Sequence, residues 1–153
     1  MDHAAVQFVN LLVGKKMLHF CCKAEILDFD FATLSLHAMG CSRIIKGNDI
    51  LVTTLDYQWW DLSESTHNDE WFNAKKFDSQ IIGGTVISAG LSPWNDLHIE
   101  LDNDVVIECL IANAYPHYGE EQEQWVLFEH TKDHSGTFLT VYNKRIAFHN
   151  KPI

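Results

Sequence analysis

Short runs in which apolar and polar residues alternate constrain this sequence more than any other feature. Apolar residues occupy every second position of 97–101 and of 105–111, with a polar turn at 102–104 between them. Runs rich in β-branched and aromatic residues follow at 125–130 and 137–142. Because side chains on a strand point alternately to opposite faces, this period of two predicts half-buried strands. Turns this short join antiparallel neighbours, so the pattern favours hairpins over alternating βαβ units.

The turn at 102–104 predicts the pairing of its two strands residue by residue. If the loop consists of those three residues, Leu101 lies opposite Val105, and His98 lies opposite Glu108 on the outer face. The sequence therefore predicts a hairpin with apolar side chains on one face and a histidine–carboxylate pair on the other.

The first half of the chain mixes a helix with further hairpins. Apolar residues of 4–13 recur at helical spacing, and Gly14 followed by two lysines is typical of a helix C-terminus. Residues 26–31 alternate like a strand, and 34–55 predicts a hairpin whose first arm is the continuous run LSLHAMGCSRII. The polar, tryptophan-bearing stretch 56–78 predicts a long loop or lid.

These elements predict one domain over 1–153. No linker, internal repeat or low-complexity run divides the chain, and a single domain of 153 residues can bury a substantial core. The fold class predicted is α+β and mainly antiparallel β, as a sandwich or curved sheet of about seven to nine strands with an N-terminal helix.

Targeting signals and cysteine usage favour the cytoplasm. The N-terminal residues lack the basic segment of a signal peptide, and no apolar run approaches the ~18 residues that a transmembrane helix needs. A disulfide-stabilised secreted domain would carry more cysteine in a shorter chain. We therefore expect free thiols in a reducing compartment for the four cysteines, Cys21, Cys22, Cys41 and Cys109.

Metal binding and nucleophilic catalysis find little support in the sequence. His130 and His134 are four residues apart, but the residues between them predict a turn, so the helical geometry that aligns two imidazoles on zinc is missing. Cys41 could be a nucleophile with His37 or His19 as its base, yet a reactive thiolate needs an electropositive setting that only one nearby arginine offers. We expect no cofactor and no metal.

An enzymatic or ligand-binding function nevertheless stays open as the alternative. A small hydrolase or ligand-binding β-domain could use a pocket formed by a histidine and a carboxylate. The candidate pairs are His98 with Glu108 and His117 with Glu120.

The acidic charge of the chain is regional. The chain carries 11 Lys and Arg against 21 Asp and Glu, a net charge of −10. Residues 47–74 and 77–131 hold 16 of the carboxylates and no Lys or Arg, so the other 70 residues carry 11 positive charges against 5 negative ones, or +6. Nucleic acid and anionic membranes would be repelled by such a chain, whereas a basic protein would be attracted.

Aromatic residues are interspersed in the acidic regions. Aromatic anchors among carboxylates are typical of an interface with a basic protein, although any single tryptophan could equally belong to the core. Residues 49–70 and 96–129 are where we expect the partner. The aromatic residues are Tyr57, Trp59, Trp60, Trp71, Trp94, Tyr115, Tyr118 and Trp125.

Two segments resemble a pattern found in small bacterial proteins. In WNDLHIELDNDVVIECLIANAYPHYGEEQEQW (94–125), a strand ends near an acidic turn, an apolar strand returns, and a tryptophan opens the next strand. LHAMGCSRIIKGNDILV (36–52) resembles the earlier hairpin of such proteins. Small acidic proteins of this type are similar to immunity proteins of bacterial toxin systems, including contact-dependent growth inhibition. The resemblance implies binding to a cognate toxin, often a basic nuclease, and implies no catalytic residues.

The sequence thus leads to an expectation of a cytoplasmic immunity protein that blocks the active site of a basic toxin. Carboxylates would pair with Lys or Arg in the toxin's substrate groove, and aromatic side chains would be the buried anchors. The residues expected to bind are Asp102, Asp104, Glu120, Glu121, Glu123, Tyr115, Tyr118 and Trp94.

Overall fold

The computed structural model of the chain describes residues 2–23, 26–58, 74–113, 121–131 and 135–149. Its helices are α1 (His3–Asn10), α2 (Thr54–Gln58) and α3 (Asp78–Ile81), the last directly after a 3-10 helix at Ala74–Phe77. Its strands are β1 (His19–Lys23), β2 (Ile26–Asp30), β3 (Leu34–Ala38), β4 (Cys41–Lys46), β5 (Asp49–Thr53), β6 (Val86–Leu91), β7 (Leu97–Leu101), β8 (Val105–Leu110), β9 (Glu123–Glu129), β10 (Phe138–Tyr142) and β11 (Ile146–His149).

The strands form two antiparallel sheets. The six-stranded sheet has the order β1-β2-β3-β9-β10-β11, and the five-stranded sheet has the order β5-β4-β8-β7-β6. The predicted class, α+β and mainly antiparallel β with an N-terminal helix, is confirmed. Of the predicted loop at 56–78, residues 59–73 lie outside the described residues.

The N-terminal helix is shorter than its apolar periodicity predicts. The Asp2 carboxylate caps α1 by accepting hydrogen bonds from the backbone N–H groups of Ala4 and Ala5, at 2.9 and 3.3 Å. The helix ends at Asn10, and hydrogen-bonded turns lead to Gly14, whose φ of +83° suits a residue without a Cβ. The Gly14 N–H then donates to the carbonyl of Val86, so the chain leaves the helix along the edge of β6.

The chain changes sheets between β3 and β4, where the sequence predicted one continuous arm. The N–H groups of Met39 and Gly40 both donate to the carbonyl of Gln124, which ends β3 and turns the chain into the other sheet. A Cβ at Gly40 would lie 2.9 Å from Gln124 Oε1 and 3.1 Å from the Leu110 carbonyl oxygen, so the crossing needs glycine. This division is one reason why the described strands number eleven and the prediction of seven to nine was low.

The predicted hairpins of the five-stranded sheet are confirmed. Residues 47 and 48 form the turn between β4 and β5. In the β7–β8 hairpin His98 pairs with Glu108, as the three-residue loop predicts. Asp104 closes that loop with a φ of +62°, the left-handed conformation that three-residue hairpin loops use at this position.

Apolar side chains from both sheets and from α1 form one core. Trp125 on β9 is fully buried, as are Phe29 on β2 and Phe31 directly after it. Burying a side chain of this size stabilises the fold by about 1.5–3 kcal/mol. Trp125 is therefore a core residue and not one of the exposed aromatic anchors that the sequence allowed.

None of the helices in the described part of the chain combines the length and the apolar character that crossing a membrane requires.

We predict that Gly84→Ala destabilises the protein through a single contact. A Cβ at position 84 would lie 2.3 Å from Asn103 Oδ1, so the amide of Asn103 must move and lose its 3.2 Å bond to the carbonyl of Ile81. Urea denaturation should show a free energy of unfolding lowered by about 1–3 kcal/mol. The matched control is Gly90→Ala, because a Cβ there has no heavy atom within 4 Å. Equal losses in both variants would contradict the assignment.

Candidate functional site

The turn between β6 and β7 displays a large aromatic side chain in solvent. This turn spans residues 92–96, and the side chain of Trp94 at its tip is 74% exposed. Tryptophan is highly buried on average in folded proteins, so a single indole held in water is an informative observation.

Hydrogen bonds within the turn fix its backbone. Ser92 Oγ accepts from the backbone N–H groups of Trp94 and Asp96, at 3.2 and 3.1 Å, and donates to Asp96 Oδ2 at 2.9 Å. The Ser92 N–H donates to the Asp96 carbonyl, and the Asn95 N–H to the Ser92 carbonyl. Asn95 has a φ of +71°, a conformation that asparagine tolerates better than most residues.

The same turn is tied to both sheets. Asp96 Oδ1 accepts from the Ile111 N–H at 2.8 Å, just after the end of β8. The buried indole of Trp125, on the other sheet, donates through Nε1 to the Asn95 carbonyl at 3.1 Å. Trp94 therefore stands on a turn that the core itself holds in place.

A depression of about 400 Å³ lies beside this turn on the outer face of the five-stranded sheet. It exists partly because Gly90 carries no side chain where β6 pairs with His98 of β7. Its lining contains both apolar and polar residues. The lining residues are Gly90, Leu91, Ser92, Asp96, Leu97, His98, Glu108 and Leu110.

Charged side chains form a network along one edge of this depression. Arg43 on β4 donates through Nε to Glu108 Oε2, and His98 Nδ1 lies 3.5 Å from Glu108 Oε1. His98 Nε2 lies 3.1 Å from Glu100 Oε1. Asp96, in contrast, accepts hydrogen bonds from neutral donors, and no Lys or Arg among the described residues forms an ion pair with it. One arginine thus stands against three carboxylates, so this group of side chains is net negative when the His98 imidazole is neutral.

A second depression, of about 420 Å³, lies at the same end of the molecule around Gln124. Gln124 is almost fully buried, and its Oε1 accepts from the Ala112 N–H at 2.7 Å. Its Nε2 donates to Asn113 Oδ1 and to the Gln122 carbonyl, at 3.0 and 3.1 Å. Gln124 therefore holds the end of β8 against the start of β9 beside the Trp94 turn.

The residues expected from the sequence to bind a partner divide between two ends of the sheet. Glu123 lines the second depression at the Trp94 end. Asp102 and Asp104 lie in the turn at the far end of β7, about 17 Å away along a five-residue strand. They cannot touch the same small patch as Trp94.

Of the other residues predicted to bind a partner, some already accept hydrogen bonds within the protein and the rest lie outside the described residues. Both carboxylate oxygens of Glu121 accept from Arg145 Nε, at 2.8 and 3.0 Å, and Asp102 Oδ1 accepts from the Thr85 N–H. Tyr115, Tyr118 and Glu120 lie outside the described residues, as does the His117 of the alternative histidine–carboxylate pair.

The histidines and thiols do not assemble into a metal or nucleophile site in the described residues. No group of three or more His, Cys, Asp or Glu side chains there could hold a metal ion. Cys41 begins β4 in one sheet, whereas His19 and His37 lie on strands of the other sheet. His37 contacts Asp28 at 3.4 Å and the ring of Phe128 instead.

His130 contacts Ser35 Oγ through Nε2, and the same nitrogen lies 3.9 Å from Asp30 Oδ1. A hydrolytic triad needs the serine and the carboxylate on opposite ring nitrogens. Ser35 is also nearly fully buried, so this group is structural. His134, which the sequence paired with His130, lies outside the described residues.

Three site residues escaped sequence reasoning, namely Ser92, Gly90 and Gln124. Ser92 and Asp96 are spaced as in a hydrogen-bonded turn, and that spacing was the available signal. A lone glycine within a strand marks open space or close approach, which is the signal for Gly90. Nothing local distinguishes Gln124 from a surface glutamine.

Comparison of the chain with known protein families, with curated protein sequences and with solved structures gave no match.

We predict that Ser92→Ala loosens the Trp94 turn. The change removes the acceptor of two backbone N–H groups and the donor to Asp96 Oδ2, so the free energy of unfolding should fall by about 1–3 kcal/mol. The heteronuclear NOE of the Trp94 indole N–H should fall as well. Ser88→Ala on the exposed surface of β6 is the control and should change neither quantity. A rigid indole in Ser92→Ala would refute this role.

We predict that the cysteines differ sharply in reactivity. Burial raises the pKa of Cys109 to about 12, and burial together with the neighbouring Cys21 and Asp56 raises that of Cys22 to about 12. Roughly one such thiol in ten thousand is ionised at pH 8, and the thiolate is the nucleophile. Iodoacetamide at pH 8 should label exposed Cys41 in the native protein and Cys109 only after unfolding, as read by peptide mass spectrometry. Rapid native labelling of Cys109 would contradict this.

Proposed function

We propose that the protein is a cytoplasmic immunity protein that binds a cognate bacterial toxin, a basic nuclease domain, and blocks its active site. The observation that carries the proposal is Trp94, an indole 74% exposed on a turn that both sheets hold in place. The proposal assigns no catalytic residue to the chain.

An exposed tryptophan on a turn whose backbone is held in place is suited to anchor a protein interface. Tryptophan is enriched among the few residues that dominate binding energy, because its large side chain buries much area at low entropic cost. Ordering a flexible loop on binding reduces affinity, whereas the Trp94 turn is already ordered by its bonds to Ile111 and Trp125. The turn therefore has the properties of a preorganised anchor.

The distribution of charge supports a basic partner. Asp96, Glu108 and Glu123 line the two depressions at the Trp94 end, and no Lys or Arg is among the described residues that line them, although Arg43 pairs with Glu108. Carboxylates at the far end, such as Asp102 and Asp104, would act at longer range by steering a cationic protein during approach. Association should therefore slow as ionic strength rises.

Inhibition would follow from occupying the substrate groove of the toxin. A nuclease attracts a polyanion into a groove lined by Lys and Arg. An acidic surface with an aromatic anchor can fill that groove and exclude nucleic acid by charge and by shape. Nothing chemical has to happen on the immunity protein itself.

We predict that Trp94→Ala abolishes protection without unfolding the protein. Co-expression with the product of the adjacent upstream gene, in a growth assay, identifies a toxin that the wild type neutralises. Against that toxin Trp94→Ala should bind at least about 30-fold more weakly, which corresponds to about 2 kcal/mol, as measured by calorimetry. Leu18→Ala, at an exposed side chain just before β1 and outside the acidic regions, should bind like the wild type.

Urea denaturation serves as the folding control for both variants and should stay within about 0.5 kcal/mol of the wild type. Absence of a toxic neighbour that the wild type binds, or unchanged affinity in Trp94→Ala, would overturn the proposal.

The His98–Glu108 pair supports a ligand-binding domain as the second candidate function. The two side chains lie 3.5 Å apart and both line the 400 Å³ depression, which contains apolar as well as polar residues. Binding of a small molecule with retained affinity in Trp94→Ala would favour this candidate over the immunity protein.

A further inference from the structure

We propose that the depression beside Trp94 receives an arginine side chain of the partner. This inference deepens the proposed function and rests on it, because it specifies the chemistry of the residue that the basic protein inserts. It depends on the shape of the depression, on its lining and on the charges that face it.

The shape follows from one missing side chain. Along the outer face of the sheet, Arg43, Glu108, His98 and Gly90 lie side by side on four neighbouring strands. The first three carry long polar side chains, and the row stops at Gly90, where a Cβ would have no heavy atom within 4 Å. The space left open there, on β6 at the edge of the sheet, belongs to the depression of about 400 Å³.

The lining suits a side chain with an apolar stem and a cationic head. Leu110 is half-buried, lies on the same face of β8 as Glu108, and offers apolar surface to the depression. Ser92, Asp96 and Glu108 provide the polar part. Lysine and arginine both bury their methylene groups along apolar surface while the charged end reaches polar partners, so the lining matches that type of side chain.

The charges favour a cation, although one cation is already present. Arg43 neutralises Glu108 from the β4 side, and His98 occupies the other carboxylate oxygen. Asp96 and Glu100 have no Lys or Arg partner among the described contacts. The negative charges of these two carboxylates therefore attract a positively charged side chain of a partner.

Geometry favours arginine over lysine at this place. A guanidinium is planar, donates several hydrogen bonds in a fixed fork and stacks on aromatic rings, whereas an ammonium is a point charge. Asp96 lines the depression, and Trp94 stands two residues before it on the same rigid turn. A guanidinium in the depression can offer its fork of donors to the carboxylates of Asp96 and Glu108, which both line it.

The test uses acetyl-arginine N-methylamide as the probe in a ¹⁵N NMR titration of the whole chain. Expected shifts concentrate at the backbone N–H groups around the depression and at the Trp94 indole N–H. The lysine probe, acetylated only at its α-amino group so that its side chain stays charged, should bind at least about threefold more weakly. The norleucine probe of the same kind lacks the charge and should cause no saturable shifts. Equal shifts with norleucine, or shifts spread over all acidic surfaces, would overturn the inference.

Gly90→Val is the decisive variant because it fills the depression from within. The added side chain has open space in which to lie, and valine suits a strand, so the fold should persist. The affinity for the arginine probe should fall at least about tenfold, and Gly90→Ala should lower it by less. Ser88→Val, which places the same side chain two residues away on the same exposed face of β6, should bind like the wild type.

The outcomes separate this inference from the proposed function. If the toxin binds Gly90→Val as tightly as it binds the wild type, the arginine site is refuted and the immunity function stands. If the arginine probe binds as expected but no basic toxin is found beside the gene, the immunity function fails and the arginine site stands.

Discussion

The hydrogen bond from the Trp125 indole to the Asn95 carbonyl joins the two sheets at the place where the molecule displays Trp94. A buried indole N–H without an acceptor would cost about 1–3 kcal/mol, so the position of the turn is coupled to the packing of the largest core side chain. Gln124 is the residue before Trp125 on β9. Its backbone carbonyl accepts the two hydrogen bonds that fix the crossing from β3 to β4. Two consecutive residues of β9 thus determine both the change of sheet and the presentation of the turn.

The hairpins could be predicted from the sequence because the information is local. The three-residue loop at 102–104 and the alternation on both sides of it determine that His98 lies opposite Glu108, and the structure has that pairing. The crossing at Gly40 could not be predicted, because apolar residues continue on both sides of it. What ends β3 is a pair of hydrogen bonds to Gln124, which is 84 positions later in the chain.

Only part of the candidate site could be predicted, for the same reason. Trp94 was named as an anchor, but nothing local showed that it would be exposed while Trp125 would be buried. The difference depends on which face of β9 meets the core. Regional acidity was visible in the sequence, yet the distance between Asp102 and the Trp94 turn is set by the five-residue length of β7. The turn at 92–96 places Gly90 beside His98, but Arg43 reaches Glu108 only through the strand order that puts β4 beside β8.

Three features that cost stability lie within six residues of one another, at positions 90, 94 and 95. Glycine within a strand is destabilising by roughly 0.5–1 kcal/mol relative to alanine. A tryptophan 74% exposed leaves apolar area in water, and Asn95 holds a left-handed backbone that asparagine only tolerates. The hydrogen bonds of Ser92 and Asp96 offset these costs without removing them. Residues that destabilise the fold locally tend to cluster where a protein binds or reacts. Their clustering at positions 90–95 supports the Trp94 turn and the depression beside it as the functional surface.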